Sequence, residues 1–193
     1  MTSRVLFVSP AMNASLREAR FDDGAPLDDR GLTAARAAAG SLSAPAASAI
    51  VVSDSPRCRG TAEALGLGPV TAPRELTGMD MGRWRGRTLH EVSAGEPEAV
   101  ARWLTDPDCA PPGGESVAAF CARVARWLDT APTGDGRIVA VVEPEVVRAA
   151  AVHATGAPPA ALWRIDVAPL TVTEFSGRSG RWNVRLGHAL DTP

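Results

Sequence analysis

Lysine and tyrosine are both missing from this 193-residue chain, and all 20 of its basic side chains are arginine. With alanine, glycine and proline abundant, that bias reads as the codon usage of a GC-rich genome, not as a functional device. An excess of either charge is missing too. The formal net charge is −2 and no basic run stands out, so nothing forces the cationic face that a general nucleic-acid or acidic-membrane binder needs. The three cysteines, Cys58, Cys109 and Cys121, are odd in number and lack a CxxC spacing. That excludes a disulfide framework and a zinc ribbon, and no metal or cofactor is expected. Long apolar runs are absent as well. Residues 1–8 hold only a short one, whereas a membrane span takes about 20 apolar residues and a signal peptide needs a longer apolar core with a small-residue cleavage site. The expected setting is the cytoplasm.

What is present is an ordinary globular composition. An apolar fraction of 45% argues against disorder, and the length fits one domain over residues 1–193. Val5–Val8 is a short continuous apolar run of the kind found in strands buried on both faces, and Ala49–Val52 and Ile138–Val142 repeat it. Helical patterns lie between them: Leu32–Leu42, Arg59–Leu65 after the capping turn Ser53-Asp54-Ser55-Pro56, and Glu115–Leu128 with Val117, Phe120, Val124 and Leu128 on one stripe. A further helix is expected from about Val146 to Thr155, stopping at Gly156. Two late strands, Leu170–Phe175 and Trp182–Leu186, are joined by residues 176–180 in a hairpin-like connection. Strands alternating with helices predict an α/β sandwich with helices on both faces of the sheet.

Several separated segments carry a resemblance. Arg20-Phe21-Asp22-Asp23 with Pro26-Leu27-Asp28-Asp29-Arg30-Gly31, the stretch Ser53 to Glu63, Gly82-Arg83-Trp84-Arg85-Gly86, and Pro112-Gly113-Gly114-Glu115-Ser116 occur in this order. They are similar to successive motifs of the histidine-phosphatase, or phosphoglycerate-mutase-like, family. The resemblance implies a three-layer α/β/α sandwich on a mostly parallel mixed sheet. It also implies a chemistry in which a histidine attacks a phosphoryl group, arginine and histidine side chains bind its oxygens, and a carboxylate protonates the leaving group.

Placed on that pattern, the chain departs from it. The first strand should end in Arg-His-Gly, and the matching residues are Ser9, Pro10 and Ala11. The second histidine's turn reads Val142, Glu143, Pro144, and the acid's slot is Gly78. Of the four basic groups and the acid, only Arg57 remains. His90, His153 and His188 lie in other segments: His90 is expected at the surface near a helix start, His153 in packing, and His188 outside the pocket.

The degenerate phosphate pocket is therefore expected to comprise Ser9, Pro10, Ala11, Asn13, Arg57, Gly78, Glu143 and Pro144. An ion pair between Glu143 and Arg57 should fill the old phosphate site. At about 4 Å such a pair is worth roughly 4 kcal/mol at an effective dielectric near ~20. Ser9 and Asn13 are candidate hydrogen-bond donors or turn formers, Cys58 a small buried hydrophobe, and Trp84 a wall of the pocket mouth. A metal site from Glu143 and Glu145 lacks partners at ligand spacing.

The expected function is a binding or regulatory module for an unidentified small molecule, polar or cationic, or for a partner protein, without phosphohistidine chemistry. The first rival is an enzyme using Glu143 as general acid or base beside Arg57, although the pairing weakens Glu143 as an acid. The second is a phosphatase with Ser9 or Cys58 as nucleophile, for which no base is evident.

Overall fold

A computed structural model describes residues 3–42, 47–68, 70–130, 137–178 and 180–190. The apolar runs form three adjacent strands of a five-stranded sheet, with Ala49–Val52 in an edge strand, not one buried on both faces: β1 (Ser3–Val8), β2 (Ala47–Val52), β3 (Arg137–Val141), β4 (Thr171–Arg178) and β5 (Arg181–Ala189). Their spatial order is β2-β3-β1-β4-β5. The β2–β3 and β3–β1 pairings are parallel, while β1–β4 and β4–β5 are antiparallel. Four strands thus run one way and β4 alone runs against them, which is the mostly parallel mixed sheet expected.

Because β1 is central, its alternate side chains enter two cores. Val5 and Phe7 join a core that includes Phe120, Val124, Val147 and Phe175, while Leu6 and Val8 join one with Cys58, Ala62 and Leu65. That double burial explains the unbroken apolar run. The first core packs under α6 (Val117–Thr130) and α7 (Pro144–Thr155), the second under α2 (Asp29–Ala37) and α3 (Pro56–Ala64). The sandwich has three layers.

Helix boundaries move from the expected ones for local reasons. Asp28 accepts a hydrogen bond from the Gly31 amide and starts α2 three residues early, and Ser55 caps the Cys58 amide and starts α3 at Pro56. The helix expected over Glu115–Leu128 begins and ends two residues later, and α7 begins two residues before Val146. It ends at Thr155 because Gly156 takes the left-handed conformation at φ 66°. Between α3 and α6 lie α4 (Leu89–Gly95) and α5 (Pro97–Thr105); the short α1 (Ala14–Arg17) follows β1. The late strands outrun the hairpin expectation, since Ser176–Arg178 belong to β4, and Ser179 lies outside the described residues.

Two motifs that looked separate in sequence meet backbone to backbone. A Cβ on Gly82, whose φ is +51°, would come within 2.4 Å of the Pro112 carbonyl oxygen, and one on Gly114 within 2.4 Å of the Asp80 carbonyl. Only glycine permits that approach.

Candidate ligand site

The parallel arrangement of β1, β2 and β3 puts the ends of all three strands at one edge of the sheet. Val8 pairs with Val141, and Val52 with Val141 on its other side. The segments that follow each strand, 9–13, 53–57 and 142–145, therefore converge beyond the carboxyl ends, where open α/β sheets bind ligands.

At this edge Arg57, in the first turn of α3, and Glu143, the residue preceding α7, form a buried ion pair between Arg57 Nη2 and Glu143 Oε2. Ser55 Oγ donates to Glu143 Oε1 at 2.6 Å, and Cys58 Sγ lies 3.5 Å from the same oxygen. Both carboxylate oxygens are thus engaged at the N-terminus of α3, where the helix dipole favours a negative charge. Burial lowers the Arg57 pKa, and the neighbouring Glu145 charge opposes that. Burial also pushes the Cys58 thiol up to about 12, against the effects of Ser55 and Arg57, so it stays protonated and packs as a small hydrophobe.

Other expected site residues divide. Asn13, Arg57 and Glu143 line a cavity of about 170 Å³, and Gly78 lines an adjoining cleft that shares Met79, Met81, Glu143 and Glu145 with it. Ser9 does not serve the cavity. Its buried hydroxyl donates to the Ala168 carbonyl and accepts from the Thr171 amide, tying the end of β1 to the start of β4. The Ala11 amide is bound to Thr61 Oγ1 at 3.1 Å, holding the loop against α3. Pro10, Ala11 and Pro144 are absent from the walls of both hollows, and Pro144 is the first residue of α7. Asn13 accepts from the Leu16 amide to cap α1 and donates to the Ala25 carbonyl, so its turn-forming role is the one realised.

The mouth of the cavity is also not built from Trp84. That ring is fully buried, stacked on Phe21 at 5.8 Å and edge-on to Trp103 at 5.5 Å. The aromatic walls are Phe21, Trp103 and Trp163, the last two 4.5 Å apart, with Met79 and Met81 beside them. The sequence reads Trp103 and Trp163 as core or rim packing, because spacing alone does not separate a cavity wall from a core, and nothing in it singles out Arg148.

The loop at the acid's slot is held from outside. Arg123 on α6 binds both oxygens of Glu115, at 3.0 and 2.7 Å, and donates to the carbonyls of Arg74, Glu75, Thr77 and Gly78. A Cβ on Gly78 would lie 3.0 Å from Glu145 Oε1 and 3.5 Å from Glu143 Cγ. The space beside residue 78 is therefore occupied by a carboxylate from α7.

Two of the three histidines sit where expected, while His153, expected in packing, instead pairs with Asp129. His90 and His188 are exposed, and His153 is half-buried with Nε2 3.0 Å from Asp129 Oδ1. Among the described residues no group of three or more potential metal ligands comes together, and no helix is long and apolar enough to cross a membrane.

The sheet order, the two helical layers and a hollow at the strand ends define an α/β sandwich of the phosphoglycerate-mutase-like type. The sequence pattern of the histidine phosphatase superfamily (branch 1) matches residues 11–188, and the chain belongs to that superfamily. The bifunctional protein Rv2228c of Mycobacterium tuberculosis (strain ATCC 25618 / H37Rv) is 36% identical over 129 residues, which is 65% of this chain and 35% of that protein. The chain thus spans about a third of the length of the curated relatives it matches.

Among solved structures, mycobacterial glucosyl-3-phosphoglycerate phosphatase Rv2419c superposes with a TM-score of 0.82 at 28% identity, over 97% of this chain and 99% of that one. A protein described as mycobacterial hydrolase 1 gives 0.83 at 25% identity over the whole of both chains. The α-ribazole phosphatase of Shigella flexneri gives 0.85 at 20% identity, covering 98% of each chain, and shares the fold.

Proposed function

We propose that this chain is a degenerate histidine phosphatase that works as a small-ligand or partner-binding module without phosphohistidine chemistry. The observation that carries the reading is the buried Arg57–Glu143 ion pair. A phosphate dianion needs uncommitted positive charge, and the arginine retained from the motif is neutralised by a carboxylate in the slot of a histidine. Proline at position 10 supplies no nucleophile. Cys58 remains a buried thiol and the Ser9 hydroxyl is committed to the backbone, so neither stands in for it.

The phosphatase relatives set the rival reading, an enzyme of remodelled chemistry acting through Glu143 and Arg57. Against it, both oxygens of Glu143 are already engaged by Arg57 and Ser55. A cytoplasmic setting without nucleic-acid or membrane partner belongs to the same proposal, on the near-neutral charge of the sequence.

The test is turnover of p-nitrophenyl phosphate and a panel of sugar phosphates by the purified chain. No release above the rate with Arg57→Ala is expected. Vigorous turnover that Arg57→Ala abolishes would overturn the reading.

A further inference from the structure

The ionisable groups lining the cavity are engaged, with two exceptions. Arg57 holds Glu143, Arg20 holds Glu18 and the Gly86 carbonyl, Asp22 faces Arg85, and Asp23 accepts from Ser15 Oγ and the Ala25 amide. Glu145 and Arg148 remain. Among the described residues neither side chain makes a hydrogen bond or ion pair, and Arg148 Nε is buried without an acceptor. The two are three residues apart on α7, a spacing that places side chains on adjacent turns of one face, yet no ion pair closes between them. A second orphan donor belongs to the same wall: Trp103 Nε1 is buried with no acceptor, and its ring is almost wholly buried. Buried N–H groups left unpaired cost free energy that a ligand oxygen would recover.

The cavity wall thus carries one arginine and one carboxylate without a hydrogen-bond or ion-pair partner, and behind it lies the unfilled Trp103 donor. Phe21, Trp163, Met79 and Met81 form an apolar bed beside them. Its volume of about 170 Å³ accommodates one aromatic ring and little more, since ~150 Å³ holds a benzene, so a charged end must lie toward the adjoining cleft that Glu145 also lines. Resting on the reading that phosphohistidine chemistry is gone, we propose that this cavity takes a small zwitterion of the α-amino-acid type bearing one aromatic group. Its carboxylate pairs with the Arg148 guanidinium, its ammonium meets Glu145, and its ring lies on the aromatic wall, where an adjacent cation is also favoured. A dianionic phosphate fits less well, because Glu145 repels it and Arg57 is spoken for.

Calorimetric titration of the intact chain with L-phenylalanine, phenethylamine, 3-phenylpropionate and inorganic phosphate tests the proposal. L-phenylalanine is expected to bind at least about tenfold more tightly than either single-charge analogue, since a hydrogen bond to a charged group is worth roughly that factor or more. Arg148→Gln should erase its advantage over phenethylamine. Glu145→Gln should erase its advantage over 3-phenylpropionate and leave binding of the latter unchanged or improved. Equal affinities for the three organic probes, failure of L-phenylalanine to bind, or its displacement by phosphate would each overturn the inference. The probe comparison on the unaltered protein decides even where a variant does not fold. Turnover of p-nitrophenyl phosphate in the same preparation overturns the preceding reading instead, so the two failures are distinguishable.

Discussion

Arg57 and Glu143, 86 residues apart in sequence, meet as a buried ion pair between the first turn of α3 and the residue that opens α7. Removing one member leaves the other charged and buried without its partner. Glu143→Ala is therefore expected to cost about 3–5 kcal/mol in urea or thermal unfolding. The double variant Arg57→Met/Glu143→Leu should recover most of that loss, because an apolar replacement of both members leaves no stranded charge. A double variant no more stable than Glu143→Ala would show that the pair itself, not the stranded arginine, sets the cost.

Placing a carboxylate at position 78 sets it against one already there. In Gly78→Glu the new Cβ starts 3.0 Å from Glu145 Oε1 and 3.5 Å from Glu143 Cγ, so Glu145 must move and two like charges share one space. A loss of about 1–3 kcal/mol is expected from the crowding, read as a fall in Tm of roughly 2–4 °C per kcal/mol for a chain of this size. Adding Glu145→Ala should return most of it. A Gly78→Glu variant as stable as the parent would show that the α7 carboxylate does not hold that space.

Acid should weaken the junction of α6, α7 and β5. Asp129 accepts from Trp182 Nε1 at 2.9 Å and lies 3.0 Å from His153 Nε2. Burial alone would raise its pKa, but the bonds from His153 and Trp182 outweigh that and hold it below the usual aspartate value. A carboxylate with a depressed pKa in the folded state adds stability above its unfolded pKa, and that contribution disappears as pH falls through the folded value. Melting curves from pH 6 to 2.5 should show the parent losing its advantage over Asp129→Asn below about pH 4. A constant gap over that range would mean that the carboxylate charge does not matter there.

Loosening the Gly78 loop should follow from Arg123→Ala. One side chain binds Glu115 and the carbonyls of Arg74, Glu75, Thr77 and Gly78. Its removal is expected to cost about 2 kcal/mol, the range for hydrogen bonds to a charged donor, and to speed amide hydrogen exchange at residues 74–78. Unchanged exchange there would show that the loop is held by its own packing.

Much of this was legible in the sequence, for reasons that vary by residue. The central strands were plain because burial on both faces makes Val5–Val8 apolar throughout, and Gly156 marked the end of α7 because a left-handed cap selects glycine. The Arg57–Glu143 pair was legible because two opposite charges stood at slots that a motif brings face to face. Ser9 was not, since its partners Ala168 and Thr171 lie about 160 positions away and accept or donate through backbone that no sequence pattern marks. The helices α4 and α5 had a sign that went unused: Thr88 and Glu91 form a capping box, and Pro97 opens the second helix. The cavity wall was the least legible part. A tryptophan that lines a hollow and one that fills a core have the same spacing, and only the assembled fold separates Trp103 from Trp84.

Helix α7 concentrates the chemistry. It carries Glu145 and Arg148 on its first turns, Glu143 immediately precedes it, and His153 near its far end fastens to Asp129. The sheet and the α2–α3 layer contribute framework and Arg57. A descendant of this scaffold could thus change the charge at this edge of the sheet chiefly by rewriting that twelve-residue segment, while every strand, loop anchor and glycine contact stayed as inherited.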